Sequence, residues 1–504
     1  MDIKISGVEA AFGQAVRHVV RLFYEEPGIA FEDDPAALPA AGEDGPAAGD
    51  AASGPPVTER DIRIELPDGT VLADRWQPPE DRDERRRGLL MRVLRLLEAH
   101  TGIRQPWGIL TGVRPTKLAH RKRRAGIPRD EAVRQLTEET LMAREKAELL
   151  QGIVDRQLAA LPDLDALDRE VSVYIGIPFC PTKCAYCTFP AYAIGGRQGD
   201  VDQFLESLHY EMRTVGRWLK DNGIRVTTVY FGGGTPTSIT AGQMDALYRE
   251  LHESFPLDRV REVTVEAGRP DTITREKLAV LKKWNIGRIS INPQSYIQET
   301  LRAIGRHHTV EETIEKFRLA REMGMDNINM DLIIGLPGET AESLAHSLAE
   351  TARLMPESLT IHTLSFKRAS EMTRNRDKYP VAGRDEIGKM VELAASWCAE
   401  HGYAPYYLYR QKNILGNLEN VGYCLPGRES LYNIIIMEEV QTIVGLGSGA
   451  SSKWVDPSDG TISRYANPKD PKAYAEGVRA AAEAKVAALE ALFGGKARSG
   501  LPVA

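Results

Sequence analysis

The sequence predicts an α/β protein: a partial (β/α)6 barrel, with an N-terminal α+β domain before it and a C-terminal mixed α/β region after it. Three observations predict this. The chain has 504 residues, more than one hydrophobic core ordinarily serves, so several domains are expected. From Val171 onward, short apolar runs alternate with amphipathic stretches, the pattern of β–α units on a parallel sheet. Ahead of that point the pattern is different, with a hairpin signal and separate helical segments.

Residues 1–165 form the expected N-terminal domain. Val16, Val19, Val20 and Phe23 recur at helical spacing. Residues 34–56 are Ala, Gly, Pro and Asp with little to bury, which predicts a disordered insertion. Asp61 to Leu66, then Pro67-Asp68-Gly69, then Thr70 to Ala73 reads as a hairpin. Helical patterns cover Leu89 to His100 and Arg129 to Leu161.

Residues 166–369 form the expected barrel. Its strands are predicted at Val171–Ile177, Thr228–Phe231, Glu262–Glu266, Arg288–Asn292, Asn327–Ile334 and Leu359–Leu364. Between the first two, Val201, Phe204, Leu205, Leu208, Met212 and Val215 make one apolar helical stripe. Thr240 with Gln243, and Thr309 with Glu312, have the spacing of capping boxes at helix starts. Residues 370–487 form the C-terminal region and 488–504 a flexible tail.

Composition narrows the class. Hydrophobic residues make up 42% and charged residues 27% of the chain, as in ordinary soluble globular proteins. Met1-Asp2-Ile3-Lys4-Ile5 lacks the basic and apolar regions of a secretory signal, and no run has the length of a membrane span. A net charge of −7 argues against a broad nucleic-acid surface. Arg85 to Arg87 and Arg121 to Arg124 read as solvated helix faces. A cytoplasmic monomer is expected.

The chemistry is carried by Cys180-Pro181-Thr182-Lys183-Cys184-Ala185-Tyr186-Cys187, just past the first barrel strand. Thiolates are the usual ligands of iron–sulfur clusters, and three of them leave one iron of a four-iron cube open. Structural zinc is the other reading, but it wants four closed ligands. Cys398 and Cys424 lie more than 200 residues downstream. Cys398 reads as core and Cys424 as an incidental thiol in a Gly/Pro loop, with cluster or haem ligation as its alternative.

Other candidates fall at the same ends of later strands, where parallel α/β barrels keep their sites. The second strand runs into Gly232-Gly233-Gly234-Thr235, a turn that lets backbone come close to a ligand. The third ends at Glu266 and the fourth near Gln294. Arg306 is placed in the following helix, and Asp331 in the fifth strand.

Together these residues resemble radical S-adenosylmethionine (SAM) enzymes. Residues 170 to about 455 resemble the oxygen-independent coproporphyrinogen III dehydrogenases, or HemN-like proteins. The matching stretches are Tyr174 to Cys180, the glycine run through Pro236-Thr237, and Asp331 to Gly338. Gly108 to Lys117 and Tyr406 to Asn413 are most similar to the HemZ-type branch. There are two departures from related branches. Phe189 stands where HemN-like members carry a fourth cysteine. Tyr432 to Ile436 lacks the His-Asn-x-x-Tyr-Trp motif of the haem-chaperone branch.

The resemblance implies a [4Fe–4S] cluster on Cys180, Cys184 and Cys187, with SAM on the open iron and a second SAM beside it. Tyr174 and Glu266 are implied as catalytic, with Tyr174 and Tyr186 flanking the SAM methionine. Gly233 and Glu266 match residues holding the first SAM. Gly234, Thr235, Gln294, Arg306 and Asp331 match contacts to the second, and Ser365 and Ser451 align with further contacts. The implied activity is oxidative decarboxylation of two coproporphyrinogen III propionates to vinyl groups by a 5′-deoxyadenosyl radical, giving protoporphyrinogen IX. Flavodoxin or ferredoxin would supply electrons. A haem chaperone and another radical SAM enzyme acting on a tetrapyrrole remain as alternatives. Arg269, Lys367, Arg368, Arg410 and Lys412 are candidates for gripping propionates.

Overall fold

In the computed structural model, which describes residues 2–24, 27–31, 59–193 and 200–494, the apolar positions of the N-terminal residues condense round one cluster. Their elements are β1 (Asp2–Ser6), α1 (Gly13–Val20), β2 (Gly28–Phe31), β3 (Arg60–Glu65), β4 (Val71–Trp76), α2 (Arg82–Thr101), α3 (Thr116–Arg124) and α4 (Arg129–Thr140). The sheet order is β2-β1-β3-β4. Ile3, Ile5, Val16, Val19, Ile62 and Ile64 are buried together with Leu90, Val93 and Leu94 of α2. The hairpin forms as expected. The expected insertion and most of the expected tail lie outside the described residues.

The helix read over Arg129 to Leu161 is two helices. Leu141 adopts φ 59, a left-handed conformation that ends α4, and α5 (Arg144–Ala160) begins three residues on. The chain divides into compact units within α5, at Met1–Gln151 and Gly152–Ala504, and not at residue 165. The physical reason is that Leu158, Leu161, Leu164 and Leu167 pack with Tyr406, Ile434 and Ile435, residues of the second unit.

That unit contains β5 (Glu170–Ile177), β6 (Phe179–Cys180), β7 (Tyr192–Ala193), α6 (Val201–Asp221), β8 (Arg225–Gly233), α7 (Ala241–Ser254), β9 (Glu262–Glu266), α8 (Arg275–Lys283), β10 (Arg288–Ser290), α9 (Gln298–Ala303), α10 (Val310–Glu322), β11 (Ile328–Ile334), α11 (Ala341–Leu354) and β12 (Ser358–Thr363). It continues with α12 (Glu371–Arg374), α13 (Arg384–Glu400), β13 (Ala404–Tyr409), β14 (Asn420–Cys424), α14 (Leu431–Glu438), β15 (Thr442–Gly447), β16 (Ser451–Val455), β17 (Ile462–Ala466) and α15 (Pro471–Phe493). One sheet has the order β13-β14-β12-β11-β10-β9-β8-β5-β15-β16-β17.

The six expected strands run parallel in its centre. Residues 370–487 do not stand apart as a separate region. They lengthen both edges of this sheet: β14 pairs antiparallel with β12, and β15 pairs parallel with β5.

The sheet curls. Six inter-strand steps separate β13 from β8, about 29 Å if flat. Yet α14, about 12 Å long, contacts both. The partial barrel wraps this helix. Glu262 at the start of β9 accepts hydrogen bonds from Ser430 Oγ at 2.9 Å and from the Leu431 and Tyr432 amides at 3.0 and 3.2 Å. A carboxylate at the positive end of a helix is a stabilising pair.

Helix α6 buries the expected stripe, and a buried cluster joins it to α15. Lys485 and Glu211 are both fully buried and ion-paired. Glu211 also accepts from the Tyr474 hydroxyl at 2.6 Å and the Gly447 amide at 2.8 Å. Breaking a buried pair leaves an uncompensated charge. Lys485→Met is therefore expected to cost about 3–5 kcal/mol, read as a lower midpoint in chemical denaturation.

Candidate functional site

The cysteine segment is fixed by the glycine turn that follows β8. The Gly234 amide donates to Ile177 O at 2.7 Å and the Thr235 amide to Phe179 O at 2.8 Å. Thr235 Oγ1 lies 3.3 Å from Cys180 Sγ. This close approach is what the glycines are for. A Cβ on Gly234 would stand 2.6 Å from Phe179 O, and Gly233 has φ +108.

Two more anchors hold the loop. The Ala185 amide donates to Ile304 O and the Met372 amide to Ala185 O, at 3.0 and 3.1 Å. Tyr186 packs beside Leu301, Ile304, Phe366 and Met372.

Burial, with Cys187 and Cys184 as neighbours, pushes the Cys180 thiol up to about 11, against the Thr235 hydrogen bond and Arg269. Burial also raises Cys187. Burial thus favours the protonated forms of Cys180 and Cys187 until a cationic group draws them out as thiolates. Among the described residues, no group of three or more His, Cys, Asp or Glu is close enough to hold a single metal ion. A cube of four irons asks for wider spacing, since each cysteine binds a different iron.

Strand alternation gives the sheet one apolar and one polar face. Phe231 meets Tyr248 of α7 on the helix-covered side, with ring centroids 5.1 Å apart. On the other face the register sets Tyr174 beside Tyr230, Tyr230 beside Thr264, and Ser290 between Glu266 and Asn329. This polar face lines the concave side, because Tyr432 of α14 stacks on Tyr230 at 4.5 Å. Tyr174 completes the stack, 6.2 Å from Tyr230.

Tyr230 donates a 2.6 Å hydrogen bond to Glu266 Oε1. Burial raises the Glu266 carboxyl to about 7; Asp331 adds to the rise and Tyr230 opposes it. Across the mouth, His362 Nε2 lies 3.5 Å from Asp331 Oδ2, and its Nδ1 lies 3.0 Å from the Tyr409 hydroxyl. Four buried side-chain oxygens on this face have no hydrogen-bond partner: Thr264 Oγ1, Ser290 Oγ, Asn292 Oδ1 and Gln294 Oε1. Buried polar atoms are rarely left so, which marks where a polar ligand would sit. Gln294 is also held at φ 67, the kind of backbone strain that gathers at ligand sites.

Several expectations need correction. Arg306 lies in the loop between α9 and α10, not in a helix. It is 4% exposed and donates to Asn292 O and, at 2.9 Å, to Gly268 O. Cys424 is on β14, paired with Ser358 at the start of β12, and so at the opposite end of the sheet from Cys180. Burial pushes its thiol up to about 12. Arg410 is buried on Leu418 O and Asn417 O, at 3.2 and 2.9 Å, and Arg269 on Asp271, so neither is a free surface charge.

Ser365 is buried with its hydroxyl on Lys412 O at 2.7 Å. Ser451 is exposed at the start of β16, beyond β15 from β5. Tyr230, His362, Tyr409 and Tyr432 were missed by the sequence reading. The period-2 placement of Tyr230 with Gly232 was the one available signal.

A sequence profile of the Radical SAM superfamily matches residues 174–350. The chain is 57% identical over 502 residues to the oxygen-independent coproporphyrinogen-III oxidase-like protein HemZ of Bacillus subtilis, covering 98% of this chain and 99% of that one. It is 32% identical over 285 residues to the heme chaperone HemW of the same organism, covering 55% and 70%. The structure of coproporphyrinogen III oxidase (HemN) from Escherichia coli superposes with a TM-score of 0.50 at 23% identity, over 67% of this chain and 73% of that one. This likeness shows the fold. The chain belongs to the radical SAM superfamily, in its HemZ-type branch.

Membership implies a [4Fe–4S] cluster and SAM, and the residues present fit both: three neighbouring thiols at one rim, and a cradle of unpaired polar oxygens below it. No helix among the described residues is long and apolar enough to cross a membrane.

The lacing of Gly234 to Phe179 yields a prediction. Gly234→Ala forces backbone apart and is expected to cost about 1–3 kcal/mol, with lower iron content after anaerobic reconstitution than wild type. Iron assay and thermal melts of the two proteins side by side check it.

Proposed function

We propose that the protein carries out oxygen-independent oxidative decarboxylation of coproporphyrinogen III propionates to vinyl groups, in porphyrin synthesis. The full-length match to a coproporphyrinogen-III oxidase-like relative carries this reading. When bound, the reduced cluster and SAM supply a 5′-deoxyadenosyl radical that abstracts hydrogen from the substrate.

The chain's own residues do the rest. Cys180, Cys184 and Cys187 hold the cluster. The backbone of Gly233, Gly234 and Thr235 fixes the cysteine segment through its amides and would offer carbonyl oxygens at the rim. Glu266 would accept from the SAM amino group, and Tyr174 and Tyr186 would flank its methionine. Gln294, Asp331 and Arg306, with Ser365 and Ser451, are the proposed contacts for a second SAM. Arg269 and Arg410 are committed to the protein, and Lys367, Arg368 and Lys412 are the proposed candidates to meet propionates. A donor such as flavodoxin or ferredoxin would supply one electron per SAM cleaved, and a one-electron acceptor would take the electron released with CO2 as each vinyl group forms.

A second reading has its own support. Phe189 is 56% exposed where HemN-like members have a cysteine, and the HemW match is a heme chaperone's. Anaerobic incubation with coproporphyrinogen III, SAM and a reductant separates the two. The dehydrogenase reading expects a mass loss at two propionates with proportionate SAM cleavage, abolished in the Cys180→Ala, Cys184→Ala, Cys187→Ala triple variant along with iron content. SAM cleavage with unchanged porphyrinogen and stoichiometric haem binding would favour the chaperone.

The Glu266 carboxyl, raised to about 7, is the stronger acceptor for the N–H of the SAM amino group when it is ionised. SAM affinity is therefore expected to strengthen as pH rises through about 7. Tyr230→Phe removes the hydrogen bond that lowers this carboxyl, so the midpoint should move up. Equilibrium SAM binding across neutral pH, wild type against variant, checks the direction.

A further inference from the structure

Arg269 is the buried cation nearest the cysteine rim that the function above leaves unused. Its side chain is 3% exposed, where an arginine persists only if paired. Nε and Nη2 donate to the Asp271 carboxylate at 3.0 and 2.8 Å. Nη1 turns the other way, to Thr182 Oγ1 at 3.0 Å, Thr182 O at 3.3 Å and Cys184 Sγ at 3.9 Å. The guanidinium is thus clamped by one carboxylate and aimed at one thiol. His308, 1% exposed, lies near the same pair, and burial with Arg306 and Arg269 keeps it uncharged. The local charge is therefore set by the arginines and by Asp271.

We propose that Arg269, positioned by Asp271, sets the reduction potential of the cluster through an N–H···S hydrogen bond to Cys184. The proposal rests on the reading that Cys180, Cys184 and Cys187 hold that cluster. Reduction adds one electron, delivered by the external donor, and makes the cluster more negative. A fixed cation donating to a ligand sulfur stabilises that form and raises the potential; hydrogen bonds to the sulfurs are a known lever on it. Asp271 acts twice: it orients the guanidinium, and its own charge offsets part of the effect. Arg269 is then a positioning and tuning residue, not one that touches substrate.

The test is a redox titration of the full-length, anaerobically reconstituted protein, followed by the electron paramagnetic resonance of the reduced cluster, with iron content measured alongside. Arg269→Gln should keep the cluster and make its reduction about tenfold less favourable, a shift of about 59 mV to more negative potential. Arg269→Lys, which keeps the charge, should shift less. Asp271→Asn keeps one amide oxygen to hold the guanidinium while removing the offsetting charge, and should shift the potential the opposite way.

Unchanged potentials in Arg269→Gln and Asp271→Asn at full iron content would overturn the proposal, leaving Arg269 as a clamp on Thr182. If Arg269→Gln loses iron, Asp271→Asn decides alone: a positive shift supports the proposal and no shift overturns it. A wild-type protein that assembles no cluster would overturn the cluster reading itself, and the proposal with it.

Discussion

Everything at the candidate site depends on one close approach, the docking of the Gly233-Gly234-Thr235 backbone against Ile177 to Phe179. Two amide hydrogen bonds and a hydroxyl–thiol contact pass across it. They fix where β5 ends and so where Cys180 begins. No side chain fits in that gap, as the 2.6 Å spacing to a Cβ on Gly234 shows. A neighbouring turn with side chains would push the cysteine segment off the sheet. The same backbone would then no longer hold its carbonyl oxygens at the rim.

The second constraint is the polar concave face. Parallel barrels are usually filled by branched apolar side chains, whereas this one sets Thr264, Ser290, Glu266, Asn329 and Asp331 on its inner side. Burying such a face costs free energy unless its groups find partners. Tyr230 pairs with Glu266 and His362 stands between Asp331 and Tyr409, while α14 covers part of the face with the ring of Tyr432. What stays unpaired is concentrated along β9, β10 and the segment beyond it, directly below the cysteine loop. Those unpartnered oxygens mark where a polar ligand, not a packed core, would complete the face.

Much of this was legible in the sequence. The three cysteines, the glycine run and Glu266 announce themselves by spacing and by falling at strand ends, and six parallel strands follow from alternation alone. Other features were not legible, for physical reasons. Strand β15 joins β5 from more than 250 residues away, and its run Thr442 to Gly447 has no local mark of its partner. The break at Leu141 depends on a left-handed residue that is not glycine. Helix α2 starts at Arg82, earlier than its apolar period suggests, because Asp81 caps two polar turns. Arg269 looked like any surface charge, since only the fold brings Asp271 and Cys184 to either side of it.

The central claim is that three cysteines at the rim leave one iron of a cube free for SAM. Mössbauer spectra of protein reconstituted with the iron-57 isotope, recorded before and after SAM is added, test it most directly. The account predicts a four-iron cluster in which one iron in four changes its isomer shift on SAM binding while the other three stay put. A spectrum in which all irons are alike and SAM moves none of them would contradict it.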